Sequence, residues 1–193
     1  MFVQEYFETS EDERNEVKPH SFAPLYGATG ANEPEHIKQY YQEFFNIYPG
    51  HKIWQQSQMD KALKYGKIRT PSGREYAFPD TKRLKNGQTT NGTKIKNWPI
   101  QGFATGDIVP LACVRALRRF KAAKLKSLLA LTVHDSIVSD VYPGELEHVK
   151  EILKWAMTEI ADEIKERWSY TMAVPLAIEM AVGENWMNMY VVH

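Results

Sequence analysis

The feature that most constrains this chain is a change in the period of its apolar residues. From Glu35 to about Lys64, Ile37, Tyr40, Tyr41, Phe44, Phe45, Ile47 and Tyr48, then Ile53, Trp54, Met59 and Leu63, recur at helical spacing. Pro49-Gly50 interrupts the run, so the pattern predicts two helices with a break. From Lys67 to Phe78 the residues alternate instead, around Pro71-Ser72-Gly73, which predicts a short hairpin. Leu128–Val133 leads into His134-Asp135-Ser136 and leaves through Ile137–Tyr142, a second hairpin with a polar tip. Residues 80–96 read as a polar loop, 105–124 as one long helix, Pro143 to Trp168 as an amphipathic helix covering a sheet, and Val174 to Val182 as a final strand. Helices first, then strands interleaved with long helices, predict an α+β fold of two unequal parts.

The 43% of hydrophobic residues among 193 is enough for a core, and no apolar run approaches the length of a membrane span. Neither a membrane protein nor a signal peptide is expected. The lone Cys113 excludes a disulfide framework and any cysteine-based metal site, and with the missing leader it points to the cytoplasm. The balanced charge, 24 basic against 24 acidic residues, hides a strong segregation. Residues 1–65 carry 6 basic and 10 acidic residues, 66–126 carry 14 and 3, and 127–193 carry 4 and 11. Folded to one side, the middle third would attract a polyanion; scattered, it would pair with the acidic ends.

Three constellations bear on chemistry. Arg14, Lys18, Phe22 and Tyr26, followed by Gly27, recur every four residues and would share one helix face. Two cations and two aromatics so arranged suit a triphosphate and a nucleobase, and equally suit the start of an ordinary amphipathic helix. His134-Asp135 at a hairpin tip could hold a magnesium-type cation or serve as a turn stabiliser. Asn97 and Gln101, four apart, could read minor-groove acceptors or cap and satisfy local structure.

In this order the segments resemble the polymerase domain of the family A DNA polymerases, the DNA polymerase I family. Arg14-x3-Lys18-x3-Phe22-x3-Tyr26-Gly27 is similar to its motif B, and Thr132-Val133-His134-Asp135 to its motif C. Asn97-x-Pro99-x-Gln101-Gly102 is similar to the duplex-contacting segment between them. Tyr48-Pro49-Gly50, Gly73-Arg74-x4-Pro79 and Gly183-Glu184-Asn185-Trp186 extend the resemblance over nearly the whole chain, and the wording looks most like the bacteriophage branch.

The resemblance implies a helical fingers portion over about 1–65 and the C-terminal half of an antiparallel-sheet palm with covering helices over about 66–193. It implies that Lys18 holds the triphosphate and assists pyrophosphate departure, with Arg14 on the outer phosphates and Phe22 against the incoming sugar. Tyr26 and Gly27 would lie beside the templating base, Asn97 and Gln101 on the primer–template DNA, His134 at the primer end, and Asp135 on magnesium. The reaction implied is attack of the primer 3′-hydroxyl on the α-phosphate of a dNTP at a two-Mg2+ site.

The departures shape the expectation as much. The family's motif A, which carries the second bridging aspartate, precedes motif B and has no counterpart here. Ser136 stands where many relatives have a glutamate, and Asp107 and Asp140 have ordinary structural readings. Pro19 and Pro24 should kink the fingers helix or set its start. The expectation is therefore the C-terminal piece of a split polymerase, whose complementary subunit supplies motif A, the thumb and the carboxylate completing the metal site. Such a piece should expose apolar surface where that subunit packs. The alternative is a non-catalytic DNA-binding remnant or a truncated polymerase.

Overall fold

The structure, a computed structural model, describes residues 20, 22–28 and 33–192, which form two compact units. One comprises the described residues up to Arg69 together with Glu75–Ile100; the other comprises Thr70–Arg74 with the described residues from Gln101 onward.

In the first unit, helix α1 (Glu35–Ile47) buries Ile37, Tyr40, Tyr41 and Phe44, the stripe its spacing predicts. Helix α2 (Pro49–Tyr65) starts afresh because Pro49, lacking an N–H, is suited to a first turn and not to a helix interior. Gly66, at φ 65°, ends it in the left-handed conformation that glycine adopts without Cβ cost. Strands β1 (Lys67–Arg69) and β2 (Glu75–Ala77) pair antiparallel, with Ile68 opposite Tyr76. Ile68 then joins Ala62, Phe78 and Ile95 in a buried cluster. Ile95 belongs to α3 (Gly92–Phe103), which begins inside the segment read from sequence as loop. Asn91, at φ 60°, and Gly92 look like turn residues, and here they lead into a helix.

In the second unit the predicted helix over 105–124 is two pieces. Ala104–Ile108 forms a π turn, closed by the Val109 N–H donating to the Ala104 carbonyl, and α4 (Val109–Ala122) follows. Pro110 cannot donate to Gly106, four residues back, and Arg74 Nη2 takes that carbonyl instead at 3.0 Å. Arg74 also pairs with the buried Asp107 carboxylate, which accepts the Ser72 hydroxyl at 2.6 Å. The structural reading of Asp107 is thus the one observed.

Helix α4 packs on α5 (Leu146–Thr158) through Ala116, Phe120, Val149, Ile152 and Ala156. The predicted helix to Trp168 breaks at Glu159, and α6 (Ala161–Trp168) begins after it. Arg115 sits at the break. Its Nη2 donates to the Glu159 carbonyl and its Nη1 to Glu163, both at 2.7 Å, and its guanidinium lies 4.1 Å from the Trp155 ring centroid. Ile160 and Ile164, wholly buried against Leu111 and Ala112, contribute about 2 kcal/mol each.

Strands β3 (Leu128–Val133) and β4 (Ser136–Asp140) form the predicted polar-tipped hairpin, with a bulge at Ala130. The expected last strand is shorter, β5 (Met180–Gly183), and pairs with β6 (Met189–Val192), which the sequence reading did not separate from the tail. Three two-stranded antiparallel ladders among helices make the α+β class expected. Among the described residues no helix is long and apolar enough to cross a membrane.

Candidate functional site

Arg14 and Lys18 lie outside the described residues. Phe22 lies in a helical turn in which the Tyr26 N–H donates to the Phe22 carbonyl at 3.1 Å. The two rings stack, 6.3 Å between centroids and 8° between planes, so the four-residue spacing does put both aromatics on one face. The turn ends in paired bonds, Gly27 N–H to the Pro24 carbonyl and Ala28 N–H to the Ala23 carbonyl, with Gly27 at φ 91°. That is the Schellman closure, which needs a left-handed residue at the position Gly27 occupies.

Helix α2 seats this turn. Gln55 Nε2 donates to the carbonyls of Pro24 and Leu25 at 2.9 and 2.8 Å, and His51 Nε2 lies 2.9 Å from the Leu25 carbonyl. Neither residue was singled out from the sequence, where Gln55 is one of several polar residues in Gln55-Gln56-Ser57-Gln58 and nothing local sets it apart. Lys96, on α3, is buried with its Nζ against Gly27.

Asn97 and Gln101 sit one turn apart on α3, as their spacing requires. The Asn97 Oδ1 is buried without a hydrogen-bond partner among the described residues, an acceptor awaiting a donor. The Gln101 carbonyl accepts the Thr105 hydroxyl at 2.8 Å.

His134 and Asp135 make the two-residue loop of the β3–β4 hairpin, both exposed, with Val133 paired to Ser136. His134 is at φ 54°, a conformation costing an L residue about 1–2 kcal/mol. The Ser136 hydroxyl turns inward to the Val133 carbonyl at 2.8 Å, so it closes the turn. Asp135 makes no hydrogen bond or ion pair with the described residues.

The other end of this hairpin is clamped. The Glu145 carboxylate accepts the Lys126 and Ser127 N–H groups and the Ser127 hydroxyl at 2.7–3.0 Å, and Ser127 Oγ in turn accepts the Tyr142 N–H. The Lys126 N–H and the Ser127 hydroxyl hold the Glu145 carboxyl below its ordinary value. A fixed base thus presents an unengaged tip.

Among the described residues no three His, Cys, Asp or Glu side chains converge as metal ligands. Asp135 offers a single carboxylate, so these residues alone do not fit a divalent-cation centre.

The sequence model of DNA polymerase family A matches residues 1–188, and the chain belongs to that family. Similar proteins include DNA polymerase I of Lactococcus lactis subsp. lactis, 30% identical over 186 residues, which cover 92% of this chain and 20% of that protein. The thermostable DNA polymerase I of Thermus aquaticus is 28% identical over 183 residues, covering 91% and 21%. The chain therefore spans about a fifth of the length of these relatives. Among solved structures, the POL domain of Pol1 from M. smegmatis, in complex with DNA primer-template and dNTP, shares the fold with a TM-score of 0.73. That match is 24% identical and covers 91% of this chain and 31% of that one.

Proposed function

We propose that this chain takes part in template-directed DNA synthesis, transferring a nucleotidyl group from a dNTP to a primer 3′-hydroxyl with release of pyrophosphate. The observation that carries the reading is Asp135: an exposed, unengaged carboxylate on a strained two-residue turn, in a chain of this family. Residues 1–65 are the fingers portion and 66–193 the palm portion. Lys18 and Arg14 hold the triphosphate, Phe22 packs on the incoming sugar, and Tyr26 and Gly27 meet the templating base. Asn97 and Gln101 contact primer–template DNA, the Asn97 acceptor, unpartnered among the described residues, being suited to a donor on a base edge or sugar. His134 supports the primer end.

Asp135 supplies one ligand of a magnesium site whose further carboxylate comes from a complementary polypeptide carrying motif A. One observation supports that partner: β3 leaves Leu128, Leu131 and Val133 exposed. The bacteriophage-type wording of the motifs fits a phage replication protein.

Primer extension tests the reading, run with this chain alone and with a polypeptide supplying motif A and the thumb. The expected result is extension only in the mixture, lost in Asp135→Ala with DNA retention intact. Retention without extension in every mixture would favour a DNA-binding remnant.

A further inference from the structure

A lysine that no described residue neutralises sits at the foot of the Phe22–Gly27 turn. Lys96 is 8% exposed, and its Nζ occupies the side of Gly27 where any other residue would carry a Cβ. No carboxylate among the described residues pairs with it. Glu35 is engaged by Lys38, Asp60 by Arg83, and Glu75 by both Lys67 and Arg69. Burial pulls the ammonium below the usual lysine range, the behaviour of a charge that has lost water and gained no counter-ion.

Arg115 shows the usual alternative. It is buried to the same 8%, yet it has Glu163, the Glu159 carbonyl and the Trp155 face. A buried cation without such partners destabilises the fold, so a Lys96 that serves only the fold has no evident use for its charge. An anion brought by a ligand would give it one.

We infer that Lys96 takes a phosphate oxyanion of bound nucleic acid beside the turn that carries Phe22 and Tyr26. This rests on the polymerase reading above and adds to it a residue outside the family motifs. An ammonium is a compact point charge suited to phosphate. Gly27 assists twice: its positive φ closes the turn, and its missing side chain leaves room for Nζ. The 14 basic against 3 acidic residues over 66–126 make a backbone phosphodiester the favoured source, with the triphosphate of a nucleotide as the other.

The test compares the chain with Lys96→Met, using anisotropy of a labelled primer–template duplex across a salt series, and thermal melting of both proteins. With a phosphodiester at Lys96, the slope of log affinity against log salt falls by about 0.9 and binding at about 0.1 M salt weakens about eightfold. The variant also melts higher, since an unpaired buried charge has been replaced by an apolar chain of similar length. If the slope holds but calorimetric binding of dCTP to the protein–DNA mixture weakens, the phosphate is the nucleotide's. Unchanged DNA and dCTP binding overturns the inference, and so does a variant that melts lower or fails to fold, because Lys96 then has a structural partner. Absence of DNA binding by the unaltered chain instead removes the polymerase reading itself.

Discussion

The two hairpin tips of the second unit treat their polar residues in opposite ways. In the Thr70–Arg74 turn, Thr70 bonds Ser72, Ser72 bonds Asp107, and Arg74 bonds both Asp107 and the Gly106 carbonyl. In the β3–β4 turn, Ser136 closes the loop, while His134 takes the strained conformation and Asp135 engages nothing described. Asp107 and Asp135 are the same residue type, and burial with a guanidinium separates them. A turn whose polar groups are all engaged is a structural device; the β3–β4 turn instead leaves its acid without a partner among the described residues.

The largest test of this contrast is Asp135→Ala. In the mixture with a polypeptide supplying motif A, it should lower primer extension about a thousandfold or more, with the melting temperature and DNA retention unchanged. A variant that melts much lower would make Asp135 structural and erase the contrast. Asp107→Asn should do the reverse. It removes the Asp107 charge from its pairing with Arg74 and costs about 2 kcal/mol in a denaturant titration, the exposure of Arg74 keeping the loss below that of a wholly buried pair.

Acid sharpens the picture further. Burial raises the Glu163 carboxyl, but hydrogen bonds from Arg115 and Arg167 more than reverse this, leaving it below its ordinary value near 4.5. A carboxyl depressed in the folded state adds stability that is present above the unfolded value and lost as pH falls through the folded one. Melting temperature should therefore decline as pH drops below about 4.5, and Glu163→Gln should flatten that decline. The smallest effect is expected of His134→Gly, where relief of the left-handed strain and the flexibility of glycine nearly cancel. Stability should stay within about 1 kcal/mol by thermal melting, while extension falls.

Much of the fold could be read before it was seen because its signals are local. Pro49 must restart a helix, and the alternations at 67–78 and 128–142 leave few other solutions. The helix at Gly92 was missed because Asn91-Gly92 is turn chemistry and Pro99 discourages a helix, whereas burial of Ile95 with Ala62, Ile68 and Phe78 favours one. The break at Glu159 was hidden because the apolar spacing runs straight across it. What fixes it is Arg115, 44 residues away in sequence. The motif residues likewise announced themselves, but their supports did not: Gln55 and Lys96 become visible only once the Phe22–Gly27 turn is folded against them.

The π turn at Ala104–Ile108 holds one residue more than an α-helical turn would. One residue corresponds to about 100° of rotation, so everything downstream emerges turned by that amount relative to an uninterrupted helix. Leu111, Ala112, Ala116 and Phe120 reach the core only in this rotated phase. Deleting a single residue from that turn would thus shorten the chain almost imperceptibly yet swing the whole apolar stripe of the following helix toward solvent. The segment works as a phase setting for the second unit, tolerant of substitution in kind but not of a change in count.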